Sequence, residues 1–425
     1  MIGTQVSSHL QNSTLQLTVR QSQRALTLLV LLLACAFAAQ AQTFTVLHSF
    51  TGGGDGAAPV SGLTMDRGGN LYGTTSYGGH GPGTVFKMTE KNSGWILLIL
   101  HDFLAGTDGC DPAHADPTIA PDGTLYGTTP LCGNVLCGGT GCGIVYRLRP
   151  SPNLPATPTA PWTETILYYF SGYVAPDPSG KLAFDSAGNI FGSTRHGGIP
   201  DKGYVYELSP LDGGYVATTL YTFQDMAQPS GVILDNAGNL YGVATGGDLG
   251  DYGNVFELSL SGSQWVATSL YTFRDGEDGA YPFGDLIADA QGNLYGTTST
   301  DGSGGGGTVF EMSPDGHGGW IPTTLAELPG YYDHPGGGPQ DALTMDSAGN
   351  LYGTALLNGA FHMGNVFKLT NTGGSWIYTS LHDFSGGSDG SLPFSNVVVD
   401  AQGNLYGTAA QGGDNSEGVV WKIAQ

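Results

Sequence analysis

Positive charge is scarce in this sequence: 13 Lys and Arg stand against 36 Asp and Glu over 425 residues, a net charge of -23. A surface this acidic repels phosphodiester backbones and anionic lipid headgroups, which removes nucleic-acid and membrane-surface binding and leaves cations, neutral polymers and proteins as partners. Long apolar runs are also missing, apart from one near the N-terminus that is shorter than the ~20 residues a bilayer needs. No segment beyond that run shows a helical period of apolar residues. Also absent are a nucleophile paired with a base, a carboxylate dyad and a phosphate loop. "GSGGGG" at 302–307 lacks the strand-to-helix setting and the Lys that such a loop requires, and reads as flexible connection. With no catalytic constellation in the sequence, the expectation leans away from an enzyme.

The apolar run from Ala25 to Ala39 follows Arg20 and Arg24 and ends in Ala39-Gln40-Ala41. That order of basic residues, apolar stretch and small-residue cleavage site defines a signal peptide over residues 1–41 and a periplasmic or secreted protein. Lipoprotein processing at Cys35 is the weaker reading, because "AFAA" prolongs the apolar run past the cysteine. Cleavage removes two arginines and no acid, so the mature net charge is -25. The mature chain is expected to be monomeric and to have no membrane span.

What the chain has in abundance is repetition. "DRGGNLYGTT" from Asp66 returns as "DAQGNLYGTT" from Asp289, "DSAGNLYGTA" from Asp346 and "DAQGNLYGTA" from Asp400. Aligned on Leu71, Leu125, Ile190, Leu240, Leu294, Leu351 and Leu405, seven copies follow one another at spacings of 54, 65, 50, 54, 57 and 54 residues. Their cores lie at 66–75, 120–129, 185–194, 235–244, 289–298, 346–355 and 400–409. Each unit offers four short strands: a, an apolar stretch ending at the Asp ("GLTMD"); b, "NLYGTT"; c, "GTVFKM"; and d, "WILLILHDF". β-Branched and aromatic residues fill the strands, and Gly, Asp, Asn and Pro separate them. Seven four-stranded antiparallel units of this length predict an all-β, seven-bladed β-propeller spanning residues 42–425 as a single domain. The chain opens on "TFTVLHSF", a d strand without its blade, and stops after the last c strand. The N-terminal strand is therefore expected to complete the C-terminal blade and close the ring.

The pattern "DxxGNLYGTT...GTVFKL...W...LHxF...DGxxP" resembles the GloVer tandem-repeat family of exported bacterial proteins from about Thr43 to Gln425, with a looser likeness to NHL-type propellers. The resemblance implies the fold and an exported location, and no activity comes with it. Family members often carry a C-terminal surface anchor, which "GVVWKIAQ" does not resemble, so the expectation is a free protein.

A feature repeated in equivalent places builds the fold, whereas an active site needs one asymmetric constellation. Asp66, Asp185, Asp235, Asp289, Asp346 and Asp400 are on that ground structural turn residues, with Ala120 in the second copy. His48, His101 and His382 share a d-strand position with Tyr168, Tyr221, Tyr271 and Ala326, so they read as aromatic packing. Alternating strand direction puts the d-to-a and b-to-c loops on one face, and these are the long, Gly-rich ones on which function is expected. Four candidates for a ligand-stacking surface lie there: Tyr77, Tyr331, Tyr332 and Phe361. Asp-Gly-x-x-Pro-like turns recur at Asp55, Asp108, Asp278 and Asp389, where calcium is the functional alternative to plain turn chemistry. Cys110 and the trio Cys132, Cys137 and Cys142 fall on neighbouring loops of the same face, giving two disulfides in one of three connectivities. C-x4-C-x4-C is not a zinc spacing, and export favours oxidation. The reading is a secreted, non-catalytic propeller that binds a glycan or protein partner on its loop face. The alternative is an extracellular metal-dependent hydrolase, lyase or lactonase acting at the mouth of the central channel.

Overall fold

The computed structural model describes residues 42–425 except 93, 113–115, 134–140, 151–161, 173–175, 200, 225–226, 247–251 and 331–335. Residues 1–41, expected to be a signal peptide, lie outside the described residues, as do Cys137, Tyr331 and Tyr332. Phe44–Ala424 form one compact unit, a ring of seven antiparallel sheets. Blade 1 shows the pattern: a is Thr64–Met65, b Leu71–Thr75, c Thr84–Lys91 and d Gly94–Asp102, hydrogen-bonded in that order. In blade 7, Thr43–Ser49 supplies the outer strand beside Val419–Ala424, so the ring closes as the repeat offset requires. Blade 5 departs from the rule by splitting its inner strand into Ala280–Pro282 and Ile287–Ala288, both paired with Leu294–Thr300. Among the described residues there is no helix long and apolar enough to cross a membrane.

Each b strand is buried along its whole length. Its side chains join those of c and of the next blade in seven separate clusters, one per blade interface. In blade 1 a Cβ on the mid-strand glycine, Gly73, would stand 2.5 Å from the Phe86 ring and 2.8 Å from Leu63. All seven copies repeat this, up to Gly407 under Trp421. The glycine therefore makes room for the c-strand aromatic of its own blade. The next residue often latches one blade to the following one. Thr354 Oγ1 donates to Ser395 O at 2.6 Å, and Thr408 Oγ1 donates across the closure to Ser61 O at 3.1 Å.

The repeated turn is held by side chains. Asp66 Oδ1 accepts the amides of Gly68 and Asn70 at 2.8 and 2.9 Å, while Oδ2 accepts Asn70 Nδ2 at 2.7 Å and Tyr72 OH at 2.9 Å. Asp, Asn and Tyr of the repeat thus form one hydrogen-bonded unit, reproduced around Asp289, Asp346 and Asp400. Asp185 and Asp235 hold their turns the same way, with Phe191 leaving the first without the phenol bond. These bonds favour the carboxylate and, against the opposing effect of burial, keep Asp66, Asp346 and Asp400 below the usual carboxyl range. In blade 2, where Ala120 replaces the acid, Asp122 accepts Thr124 N at 3.0 Å instead.

Candidate binding face and axial site

The four Asp-Gly loops lie in four different d-to-a connections, and the structure does not bring their carboxylates together. Each carboxylate accepts the amide four residues before it: Thr51 N at 3.1 Å for Asp55, Leu104 N at 2.7 Å for Asp108, Arg274 N at 3.1 Å for Asp278 and Ser385 N at 2.9 Å for Asp389. Three also bond the d-strand ring seven residues back: His48 Nε2 at 3.0 Å, Tyr271 OH at 2.8 Å and His382 Nε2 at 3.1 Å. The same rings stand edge-on to the Phe two positions on, His48 over Phe50 and Tyr271 over Phe273. In these three places the packing ring and the loop acid are one device that ties the d strand to the loop leaving it. At Asp55, Asp278 and Asp389 calcium would have to displace both the amide and the ring bond, so adding calcium chloride to metal-stripped protein is expected to leave the melting midpoint unchanged. A rise of several degrees would reinstate calcium at these loops.

The second loop deviates. His101 Nε2 is 3.5 Å from Asp108 Oδ2 and 3.7 Å from Glu164 Oε1, a carboxylate brought in by the d strand of blade 2, Trp162–Tyr169. Burial, reinforced by the Asp108 carboxylate, pushes the Glu164 carboxyl up to about 9. Burial pulls the His101 imidazole down, against the pull of Asp108 and Asp102.

The inner ends of the a strands converge at the axis. Asp116, Asp285 and Asp341, from blades 2, 5 and 6, line a cavity of about 30 Å³ with Lys181, Arg195 and Phe283. Asp116 Oδ1 accepts Gly62 N at 2.6 Å, and its Oδ2 accepts Asn396 Nδ2 at 2.7 Å. Asn396 Oδ1 accepts Leu63 N at 3.1 Å, its amide donates to Asp341 Oδ2 at 2.8 Å, and Asp285 Oδ2 accepts Lys181 N at 2.7 Å. These bonds tie blades 1, 2, 6 and 7 to one another and blade 3 to blade 5 around the axis. Burial raises all three carboxyls, Asp285 to about 6. The Arg195 guanidinium lies 4.5 Å over the Phe283 ring. Burial lowers its proton affinity, opposed by Asp177 and Asp285. Among the described residues, one group of three ligating atoms lies within 4.8 Å of one another, His101, Asp108 and Glu164, and the axial aspartates do not form such a group. A second cavity, of about 660 Å³, opens between the turns of blades 7 and 1, lined by Thr64, Arg67, Val398 and Asp400. The carboxylates there are committed to their turns.

On the loop face, Tyr77 is 61% and Phe361 57% exposed. The Tyr77 backbone is paired in both directions with Ala57, at 2.8 and 3.2 Å, so the ring is held in solvent by a fixed main chain. Ile199 and Met363 are exposed on loops of the same face, and Tyr281 is exposed on the short strand Ala280–Pro282. Cys110 and Cys132 form a disulfide that joins the d-to-a and b-to-c loops beside blade 2, and Cys142 is also disulfide-bonded. The residues that the sequence did not single out are Asp116, Lys181, Asp285 and Asp341 at the axis, and Glu164 beside His101.

Fold and repeats together define the class: a seven-bladed β-propeller built from tandem repeats. The chain belongs to the Gloeobacter/Verrucomicrobia repeat family, whose model matches residues 35–157 and 137–331. Among solved structures it is similar to a catalytically inactive virginiamycin B lyase from Staphylococcus aureus with quinupristin. The identity is 12%, over 90% of this chain and 99% of that one, with a TM-score of 0.57. A streptogramin B lyase structure matches at 10% identity over 90% and 97% of the two chains, with a TM-score of 0.56. At these identities the likeness is one of fold. No curated protein matches the sequence.

Proposed function

We propose that this protein is an exported, non-catalytic β-propeller that binds a polysaccharide or protein partner through the face carrying its d-to-a and b-to-c loops. The observation that supports this most is Tyr77, a large ring kept in solvent on a main chain already paired with Ala57. A rigid aromatic loses little conformational entropy on binding and offers a stacking surface to a sugar ring or an apolar side chain. Phe361 extends the surface in blade 6. The Cys110–Cys132 disulfide is consistent with an oxidising compartment. The enzymatic alternative, a metal-dependent hydrolase, lyase or lactonase at the channel mouth, needs free carboxylates at the axis. Those present are bound to backbone amides and to Asn396.

A glycan array and a protein-binding screen with the mature protein test the reading. Tyr77→Ala and Phe361→Ala should each weaken the hits by about tenfold, the ~1.4 kcal/mol of one lost stacking contact, with melting midpoints preserved. Turnover of a lactone or glycosidic substrate by the same sample would favour the enzyme instead.

A further inference from the structure

We propose that His101, Asp108 and Glu164 form a zinc site that clasps blade 1 to blade 2, with His101 Nε2, Asp108 Oδ2 and Glu164 Oε1 as ligands and water in the fourth position. The repeats provide an internal control. Pairing of strands c and d places Glu164 opposite Leu148, and the same register position holds Leu97, Ala217, Ala267, Pro322 and Tyr378 in blades 1 and 3 to 6. In blade 7 the corresponding residue is Phe44, whose ring stacks on His382 at 3.7 Å. Blade 2 alone sets a carboxylate against the histidine of the preceding blade.

Its arrival changes the local bonding. His48 and His382 bond their loop aspartates at 3.0 and 3.1 Å, whereas His101 stands back at 3.5 Å from Asp108 and 3.7 Å from Glu164. His101 Nε2 and Glu164 Oε1 are both buried atoms without a hydrogen-bond partner, on side chains that keep 16% and 12% of their exposure. An orphaned imidazole nitrogen facing an orphaned carboxylate oxygen is costly unless something joins them. The spacing fits a metal: ligands about 2.0–2.1 Å from a tetrahedral ion stand roughly 3.4 Å apart. An imidazole with two carboxylates suits zinc, while calcium takes oxygen ligands alone. The loop bearing Asp108 is fixed two residues on by the Cys110–Cys132 disulfide, so the third ligand is presented by a constrained main chain.

Metal-stripped, disulfide-intact mature protein should take up one zinc per chain by calorimetry and elemental analysis, with a rise in melting midpoint. Glu164→Leu, which installs the residue of blade 1, and His101→Tyr, which installs that of blades 2 to 4, should each lower zinc affinity at least about 100-fold, more than the loss of an outer-shell partner. Their metal-free midpoints should stay at or above wild type, which separates loss of the site from loss of the fold. Cobalt in place of zinc should give a visible d–d band in wild type and none in Glu164→Leu. Wild-type protein without stoichiometric zinc, or binding left unchanged by Glu164→Leu, overturns the proposal.

Discussion

Deleting residues 42–50 from a chain that begins at Gln42 is expected to abolish its cooperative melting transition, and attaching them after Gln425 through a short flexible linker to restore it. Thr43–Ser49 is the outer strand of blade 7, so without it Val419–Ala424 becomes an unpaired edge. The loss reaches the core. Phe50 is fully buried against Phe86 of blade 1, and its amide donates to Gly418 O at 3.0 Å. Phe44 packs with His382, Phe384 and Trp421. At ~1.5–3 kcal/mol for each large apolar side chain returned to water, Phe50, Phe44, Val46 and Leu47 together remove at most about 6–12 kcal/mol, the last three being partly buried. That is comparable with the whole stability of a domain, about 5–15 kcal/mol. The permuted chain makes the same contacts from the other terminus, so its recovery would show that the strand acts by completing the sheet. A deletion variant that melts cooperatively near the wild-type midpoint would show instead that the ring holds without this strand.

That closure was legible because "TFTVLHSF" duplicates a segment met six more times, and an orphan copy at one end can only complete the copy missing at the other. The turn was legible for the same reason, although its chemistry was only partly so: that Tyr72 completes the Asp66–Asn70 unit is visible once Tyr recurs six residues after the Asp. The loop acids show where one-dimensional reading falls short. His48 with Asp55, Tyr271 with Asp278 and His382 with Asp389 all stand seven apart within one repeat. Treating the rings as packing and the acids as calcium candidates divided what is one hydrogen-bonded pair. The axial network lies four residues before the turn in the aligned copies, at Gly62, Asp116, Lys181, Gly231, Asp285, Ala342 and Asn396, with Asp341 one step earlier. Charge at that register was readable, but its bonds were not, because Asp285 to Lys181 and Asp116 to Asn396 each bridge blades that are not neighbours in the chain. Glu164 escaped for a related reason: only the blade interface reveals that this single departure from an apolar position faces a histidine 63 residues away.

The axial acids carry the other large effect: replacing Asp285 with Asn should stabilise the protein at pH 7 by up to about 3 kcal/mol, and the gain should vanish as the pH falls to 4. Burial holds Asp285 at about 6 against an ordinary 3.8, so the folded protein binds this proton more tightly than the unfolded chain does. A carboxyl shifted that way contributes stability that is fully present below the unfolded pKa and is lost as the pH rises through the folded value, here between about 4 and 6. At ~1.4 kcal/mol per unit, the full shift is worth about 3 kcal/mol. Asn keeps an oxygen to accept Lys181 N and carries no charge to bury, while its amide nitrogen gives up the bond from Gly231 N, so the gain is the removed charge penalty less that one bond. The raw stability curve mixes several groups. Asp116, Asp341 and Glu164 are raised like Asp285, while the depressed imidazoles of His101 and His382 destabilise the fold as the pH falls through their unfolded value. The decisive quantity is therefore the difference between variant and wild type in urea unfolding at pH 4, 5, 6 and 7. A difference that grows with pH ties the axial network to a buried carboxyl whose charge is a cost to the fold. A flat difference, or a variant less stable than wild type at pH 7, would mean that the Asp285 charge is compensated at the axis, with Lys181 and Arg195 the nearest cations lining the same cavity.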